Sequence, residues 1–346
     1  MHLSGVPEPN LTFAPKHYLC RRAAGKPALD GRLDKPFWEQ AEWTDDFVDI
    51  EGDLRPKPAK RTRVKMLWDE EYFYFGAELM EDQIWATLTE RDSVIFYDND
   101  FEIFIDPDGD SHQYYEFEIN ALNTVWDLLL VKPYRDGGPP VNGWDIQGLQ
   151  TAVYIDGELN NPGAANRMWS VEVAMPWSAL KECAGEQAPA PPEPGQHWRV
   201  NFSRVEWRTE VRDGRYEKVL NPDTGRPYPE DNWVWSPQGL INMHYPELWG
   251  YVVFTAEQEG PGPFEIPEDE SIKWNLRRLY YRQRSVFAET GAFSGDLALL
   301  ADGFLEEVQR IQPRIELTSR LFQISAPSAD GTGTFYIRED GKLWRE

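Results

Sequence analysis

Residues 100–120 read DFEIFIDPDGDSHQYYEFEIN, and in both halves of this stretch apolar and polar side chains alternate. In the second half, one face carries three apolar side chains: Tyr115, Phe117 and Ile119. The opposite face carries three polar side chains: Glu116, Glu118 and Asn120. A period of two is that of a β-strand with one face in the core. The stretch therefore predicts two strands, each with an apolar inner face and an acidic outer face.

The same alternation, separated by turns rich in Asp, Gly and Asn, recurs along the chain. Further strands are predicted at 61–68, 72–79, 124–131, 151–155, 168–175, 197–205 and 250–255. Short alternating strands between turns are typical of an antiparallel sandwich, and no regular alternation of strands with helices is visible. We therefore predict an all-β fold, an antiparallel β-sandwich of two sheets, with a small C-terminal α+β appendage.

The length of 346 residues allows about two domains. Pro, Gly and Glu are concentrated after residue 256, which is typical of a linker, and helical spacing of apolar residues follows it. The predicted segments are an extended N-terminal arm (1–25), the sandwich (26–256), a linker (257–267) and a helical segment with short strands (268–346).

The net charge of the chain indicates which kinds of binding partner are favoured and which are not. The net charge is −24, from 59 acidic and 35 basic residues, which disfavours nucleic acids and anionic membrane surfaces. This charge is compatible with neutral sugars and with Ca²⁺, and it also serves solubility alone. The chain has no apolar run long enough to cross a membrane. We expect a monomer that is secreted, periplasmic or on the cell surface, with its export signal absent from this chain.

The cysteines and one acidic loop leave alternatives open. Cys20 and Cys183 form either one disulfide or two free thiols, and the sequence does not decide between them. Asp106, Asp108 and Asp110 occupy alternate positions, as in part of a Ca²⁺-binding loop, but the same residues suit a simple β-turn. We therefore expect no cofactor, or at most a structural Ca²⁺ ion.

The outer faces of the predicted strands carry polar side chains that suit sugar hydroxyls: Glu102, Glu118, Asn120 and Asn201. Sugar hydroxyls require hydrogen-bond donors and acceptors in fixed positions. Two alternatives remain open, because such a face is often only solvated, and because two carboxylates are also the machinery of a glycosidase. His244 lies in an aromatic-rich loop, where it either binds a ligand or has a structural role.

A family resemblance rests on several pieces in a fixed order. They are LDGRLD (29–34) with Trp38, VKMLWDEEYFY (64–74), DFEIFID (100–106) with YEFEIN (115–120), WSVEVAMPW (169–177) with RVNF (199–202), and WGYVVF (249–254). Together they resemble the family 9 carbohydrate-binding modules and their family-9-like relatives, over residues from about 26 to 256. The resemblance implies a two-sheet sandwich, sugar held between two Trp rings, and Ca²⁺ as a structural ion.

The resemblance also implies roles for single residues. Glu102 matches a carboxylate that bonds sugar hydroxyls, and Asn120 falls on a polar position of the same site. The first stacking Trp falls near Phe96 or Tyr97, and the second falls near Met243. An arginine of the family's site corresponds to Glu118 here.

Two long irregular stretches, 132–148 and 208–247, interrupt the predicted strands. Because both stacking positions differ from the family, we expect Trp residues of these loops to stack on the sugar instead: Trp144, Trp233 and Trp235. The predicted function is non-catalytic carbohydrate binding, in polysaccharide capture or degradation. The alternatives are a structural or adhesion domain of the cell envelope that has lost its sugar site, and a carboxylate glycoside hydrolase.

Overall fold

A computed structural model describes residues 5–185, 188–256 and 264–346 of the chain. Most of the predicted linker, residues 257–263, lies outside the described residues. The boundaries of the predicted segments therefore stay predictions.

The described residues form mainly β-structure. In chain order, the strands are β1 (His17–Arg22), β2 (Val48–Asp49), β3 (Thr62–Trp68), β4 (Tyr72–Met80), β5 (Asp100–Asp106), β6 (Tyr114–Asn120), β7 (Val125–Leu130), β8 (Pro140–Val141), β9 (Gln150–Asp156), β10 (Met168–Pro176), β11 (His197–Glu206), β12 (Thr209–Arg212), β13 (Arg215–Lys218), β14 (Asp231–Val234), β15 (Gly250–Thr255), β16 (Arg314–Leu317), β17 (Phe322–Pro327), β18 (Thr334–Arg338) and β19 (Leu343–Arg345). The α-helices are α1 (Pro36–Glu39), α2 (Glu268–Thr290), α3 (Leu297–Leu300) and α4 (Leu305–Arg310). Short 3₁₀ turns are at Gly52–Leu54, Ile95–Tyr97, Tyr134–Asp136 and Pro246–Leu248.

Hydrogen bonds join thirteen strands of the described chain into one large sheet. Its order is β8-β7-β6-β5-β11-β15-β1-β3-β4-β10-β9, and β14 pairs with both β11 and β2. β12 and β13 form a separate two-stranded sheet, and β16 to β19 form a four-stranded one. The expectation of two separate sheets in the sandwich is therefore corrected to one continuous sheet.

The large sheet is mixed, so the prediction of a purely antiparallel sheet is wrong. β1 runs parallel to both of its neighbours, β15 and β3. The other pairs in the large sheet are antiparallel, as in β5 with β6. No hairpin turn fixes the direction of β1, because its neighbour β15 is more than 200 residues away in the chain. Residues 17–22, which the sequence placed in an extended arm, therefore lie between two strands of the sheet.

The sheet curls so that its two halves face each other across one apolar core. The ring of Phe75 in β4 lies 5.9 Å from the ring of Phe202 in β11, edge to face. Trp177, directly after β10, meets Trp198 of β11 at a centroid distance of 5.4 Å. Aromatic rings in such pairs bury large areas and gain further from their geometry. The arrangement is thus sandwich-like, although one sheet provides both layers.

A buried carboxylate fixes the chain segment that leads into the first helix. Glu172 of β10 accepts hydrogen bonds from the backbone N–H groups of Asp30 and Gly31, both at 2.8 Å. Its other oxygen accepts from Trp38 Nε1 at 2.7 Å, and Lys35 Nζ lies 2.9 Å from the carboxylate. A buried charge needs such compensation. The conspicuous LDGRLD segment is therefore anchored on the middle of β10.

The C-terminal part contains helices and short strands, as predicted. After α2, the short helices α3 and α4 are separated at Gly303, which has a φ of +87°. Four strands form the small sheet. Apolar side chains of α2 pack against this sheet in a second core, for example Leu276 and Leu279 with Ile324 and Ile337.

The structure answers whether the two cysteines are paired. Cys20 and Cys183 are both buried free thiols, so they do not form a disulfide.

Within residues 5–185, 188–256 and 264–346, no helix combines the length and the apolar character needed to cross a membrane.

Candidate ligand-binding cleft

The outer face of β5, β6 and β11 is not a solvated surface. Glu102 lies directly opposite Glu118, and Phe104 lies directly opposite Glu116, in the antiparallel pair of β5 and β6. Each of the three glutamates is at most 6% exposed. The alternation read from the sequence is confirmed, but the acidic face that it produces is covered. The alternative of a simple solvated face is therefore wrong.

A cleft of about 250 Å³ opens on this face. Its floor is formed by side chains of β5 and β6: Glu102, Phe104, Glu116 and Glu118. Phe96 and Glu230 contribute to its walls, and residues 241–244 lie over it. The cleft thus combines carboxylate acceptors with aromatic and apolar side chains, the composition that small-molecule sites commonly have.

The electrostatics of the floor follow from burial. Burial raises the pKa of Glu102 to about 7. Burial, together with the charges of Glu102 and Asp100, raises the pKa of Glu118 well above its usual value. Burial and the charge of Glu102 do the same to Glu116. None of the described residues that line the cleft is Lys or Arg. The floor therefore provides protonated carboxyls or concentrated negative charge, depending on pH and bound cations.

His244 joins the covering loop to the floor. Its Nδ1 lies 2.9 Å from the hydroxyl of Tyr114 in β6, and its ring meets that of Tyr134 edge to face at 4.5 Å. Burial and the charge of Arg135 lower the pKa of His244 to about 3. The imidazole is thus neutral at ordinary pH, and the structure places this predicted residue in the cleft lining.

The aromatic side chains near the cleft are in part those predicted: of Phe96 and Tyr97, Phe96 lines the cleft and Tyr97 is not among its described lining residues. The ring of Phe96 lies 5.0 Å from that of Tyr97, which is 56% exposed. Met243 also lines it. Trp126 of β7 lies directly opposite Glu118 and is half-buried, so it belongs to the same face of the sheet. Sequence reasoning missed Trp126, because β7 is almost entirely apolar and its pattern does not indicate which face is the outer one.

Two predicted amides have structural roles instead. Asn120 donates to the carbonyl of Leu88 at 2.8 Å and accepts from the N–H groups of Leu122 and Thr124. Asn201 donates to the carbonyl of Ser236 and accepts from its N–H. Both amides are fully buried. Neither lines the cleft, because each is engaged in holding a loop.

The three loop Trp residues do not offer rings to the cleft. Trp233 and Trp235 are 7% and 1% exposed and belong to the main core. The ring of Trp144 stacks on Tyr115 at 4.9 Å, and Tyr115 points to the core side of β6. A ring packed in the core has no face free for a sugar, so the expectation for Trp233 and Trp235 is corrected. Trp144 lies on the opposite side of β6 from Glu118.

Three acidic groups in the described chain could hold a metal ion. One is the predicted set Asp106, Asp108 and Asp110, in which Lys342 Nζ lies 3.2 Å from Asp110. A second group surrounds Arg91, which pairs with Asp127 and Asp145. The third group consists of Asp100, Glu102 and Glu118. Oxygen-only donor sets of this kind suit hard cations such as Ca²⁺.

A family model matches part of the chain. Residues 29–188 match the family model described as carbohydrate family 9 binding domain-like. The resemblance predicted from the sequence is therefore confirmed. The match ends before β11, although β11, β14 and β15 belong to the same sheet. No curated protein sequence matches the chain.

Solved structures give weaker likenesses. A candidate carbohydrate-binding protein from Bacteroides uniformis ATCC 8492 is 15% identical with a TM-score of 0.49, and the match covers 70% of this chain and 100% of that one. A family 9 carbohydrate-binding module from Caldicellulosiruptor kristjanssonii, solved with cellotriose and with glucose, is 16% identical. Its TM-score is 0.43, and the match covers 72% of this chain and 100% of that one. We draw no functional conclusion from these likenesses.

Proposed function

We propose that this chain, whose residues 29–188 are a carbohydrate family 9 binding domain-like segment, binds a carbohydrate in the cleft floored by Glu102, Glu116 and Glu118. The observation that carries the proposal is the cleft itself, in which buried carboxyl oxygens lie beside the ring of Phe96 and the imidazole of His244. Carboxyl oxygens accept from sugar hydroxyls, and rings pack against the apolar faces of a sugar.

The proposal includes the absence of catalysis. Glu102 and Glu118 are neighbours on one floor of the cleft, directly opposite each other in adjacent strands. A glycosidase instead places its two carboxyl groups on either side of the scissile bond. One observation favours the alternative of a glycoside hydrolase, because the pKa of Glu102, raised by burial to about 7, suits a general acid. The assay for released products separates the two functions.

Further parts of the proposal concern the setting of the molecule. We infer a role in polysaccharide capture or degradation outside the cytoplasm, as a monomer. The strongly acidic composition supports a soluble protein without nucleic-acid partners. A structural Ca²⁺ ion at Asp106, Asp108 and Asp110 is part of the same proposal, since one oxygen of each lies within 4.8 Å of the others.

The experiment is a binding screen of the purified chain against plant, algal and host polysaccharides, with tryptophan fluorescence and released reducing sugar measured together. We expect a saturable fluorescence change without products. The Glu118→Gln variant is expected to bind the same polysaccharide at least tenfold more weakly. Release of products would support the hydrolase. A wild-type chain that binds nothing in the panel would contradict the proposal and favour a structural or adhesion domain.

A further inference from the structure

We propose that Asp100, Glu102 and Glu118 bind one hard divalent cation of the Ca²⁺ type at the edge of the cleft floor. This site differs from the acidic loop at residues 106–110, and it follows from the placement of these three side chains. Cation binding here does not depend on whether the cleft binds a sugar.

The first step is geometric. Asp100 and Glu102 lie on the same face of β5, and Glu118 lies directly opposite Glu102 on β6. One carboxylate oxygen of each residue lies within 4.8 Å of the corresponding oxygens of the other two. Two ligands of one Ca²⁺ ion, each at about 2.4 Å, are at most about 4.8 Å apart. The three oxygens are therefore already close enough to share one ion.

The second step is that the three carboxylates have no positively charged partner among the described residues. Asp100 is fully buried, and apart from a contact with the backbone N–H of Val205 neither of its carboxylate oxygens makes a well-aligned hydrogen bond within the described residues. Among those residues, no Lys, Arg or His forms an ion pair with Asp100, Glu102 or Glu118. Buried charges in proteins are paired, bound to metal or neutralised by protons. A cation bound here would supply the missing partner.

The other two acidic groups provide the contrast. Arg91 forms ion pairs with two carboxylates of its group, and Asp106 accepts hydrogen bonds from the N–H groups of Gly109 and Ser111. Those groups thus already have protein partners, to which the structural ion proposed for residues 106–110 would be an addition. In the proposed site Phe96 N–H donates to Glu118 at 3.0 Å, and the N–H of Val205 and the hydroxyl of Ser203 contact Asp100 and Glu102, but no positive group is among these partners.

The third step concerns access and the kind of ion. Glu102 and Glu118 line the cleft, so an ion can enter from it, whereas Asp100 does not line it. Ca²⁺ accepts several carboxylates from the protein, while Mg²⁺ keeps most of its water ligands and an octahedral shell. Open coordination positions of the ion would face the cleft. If the proposed function holds, sugar hydroxyls could occupy them.

The test is isothermal titration of the full chain with CaCl₂ at pH 8, after treatment with a chelator and without any sugar. We expect a binding event that is lost, or at least tenfold weaker, in Glu118→Gln and in Glu102→Gln. The control variant Asp108→Asn, in the other acidic loop, is expected to keep that event and to lose only the separate Ca²⁺ binding proposed for residues 106–110. Two cleft variants are used so that a folding defect in one, detected by circular dichroism, leaves the other informative.

A second readout uses Tb³⁺, a luminescent substitute for Ca²⁺. Because Trp126 lies directly opposite Glu118, excitation of tryptophan is expected to sensitise Tb³⁺ bound at this site. The sensitised luminescence should fall in Glu118→Gln and persist in Asp108→Asn. The proposal is overturned if the wild-type chain binds no Ca²⁺ at millimolar concentration, or if both cleft variants bind it like the wild type. A failed sugar screen would leave this result unaffected.

Discussion

The hydroxyl of Tyr114 and Nδ1 of His244 lie 2.9 Å apart, which joins strand β6 of the cleft floor to the loop that covers it. The two residues are 130 positions apart in the sequence. The loop around His244 thereby contributes to the lining of the cleft on the acidic strand face. The neutral imidazole is also a source of pH dependence, because a charged ring would lose solvation in this place.

The stability of the protein should therefore fall in acid through His244. Its folded-state pKa is lowered to about 3 by burial and Arg135, below the ordinary value of 6.5. The unfolded chain thus binds an extra proton between these values, and stability falls as pH decreases through that window by about 1.4 kcal/mol per unit. We expect His244→Gln to reduce this slope between pH 6 and pH 4. Urea unfolding of both proteins measures it, and equal slopes would contradict the assignment.

A buried ion pair between the main sheet and α2 is expected to be essential for stability. Arg199 donates to Glu270 at 2.8 Å, and Tyr251 donates to the same carboxylate at 2.7 Å. Removing one partner of a buried pair leaves an uncompensated charge, at a cost of about 3–5 kcal/mol. We expect this loss for Glu270→Gln in denaturant unfolding. Asp45→Asn, which removes an exposed pair with Lys16, should cost less than about 1 kcal/mol.

A glycine at the start of β15 is required by packing. A Cβ atom at Gly250 would lie 2.4 Å from Cζ3 of the Trp235 ring, which is fully buried. Overpacking of this kind typically costs about 1–3 kcal/mol. We expect that loss for Gly250→Ala, measured by thermal or urea unfolding. Gly143→Ala is the matched control, because nothing lies within 4 Å of its added Cβ, and it should be nearly neutral.

The two thiols should be inert in the folded protein. Burial raises the pKa of both Cys20 and Cys183, which suppresses the reactive thiolate. A thiol reagent such as DTNB is expected to react with neither cysteine in the native protein and with both in denaturant, without a reductant. A denatured chain with no reactive thiol would instead reveal a disulfide.

The sequence predicted the features that depend on local pattern. The alternation in residues 100–120 placed Ile103 and Phe117 in the core and Glu118 on the outer face, as observed. What the sequence missed depends on contacts between distant segments. The parallel strand β1 has no local turn to reveal it, and the cleft at Glu118 is lined in part by residues 241–244, far along the chain.

The errors at the candidate site have the same origin. Asn120 and Asn201 had the right residue type on the right strand face, but neighbouring loops use their hydrogen-bonding groups. The sequence placed Trp233 and Trp235 in a loop. In the structure β14 pairs with β11, and both Trp rings belong to the core. Residue type and periodicity identified the outer face of β5, β6 and β11. Which residues of that face line the cleft depends on the neighbouring loops, which the sequence pattern does not reveal.

The most direct test of the account is the affinity of one soluble ligand, chosen from the polysaccharide screen, for wild-type protein and two aromatic variants. Phe96→Ala removes a ring that lines the cleft, and Tyr336→Ala removes a half-buried ring in the C-terminal four-stranded sheet. Isothermal titration should give one site per chain, weakened at least tenfold by Phe96→Ala and unchanged by Tyr336→Ala. Equal affinity of the wild type and Phe96→Ala would show that the carbohydrate binds elsewhere.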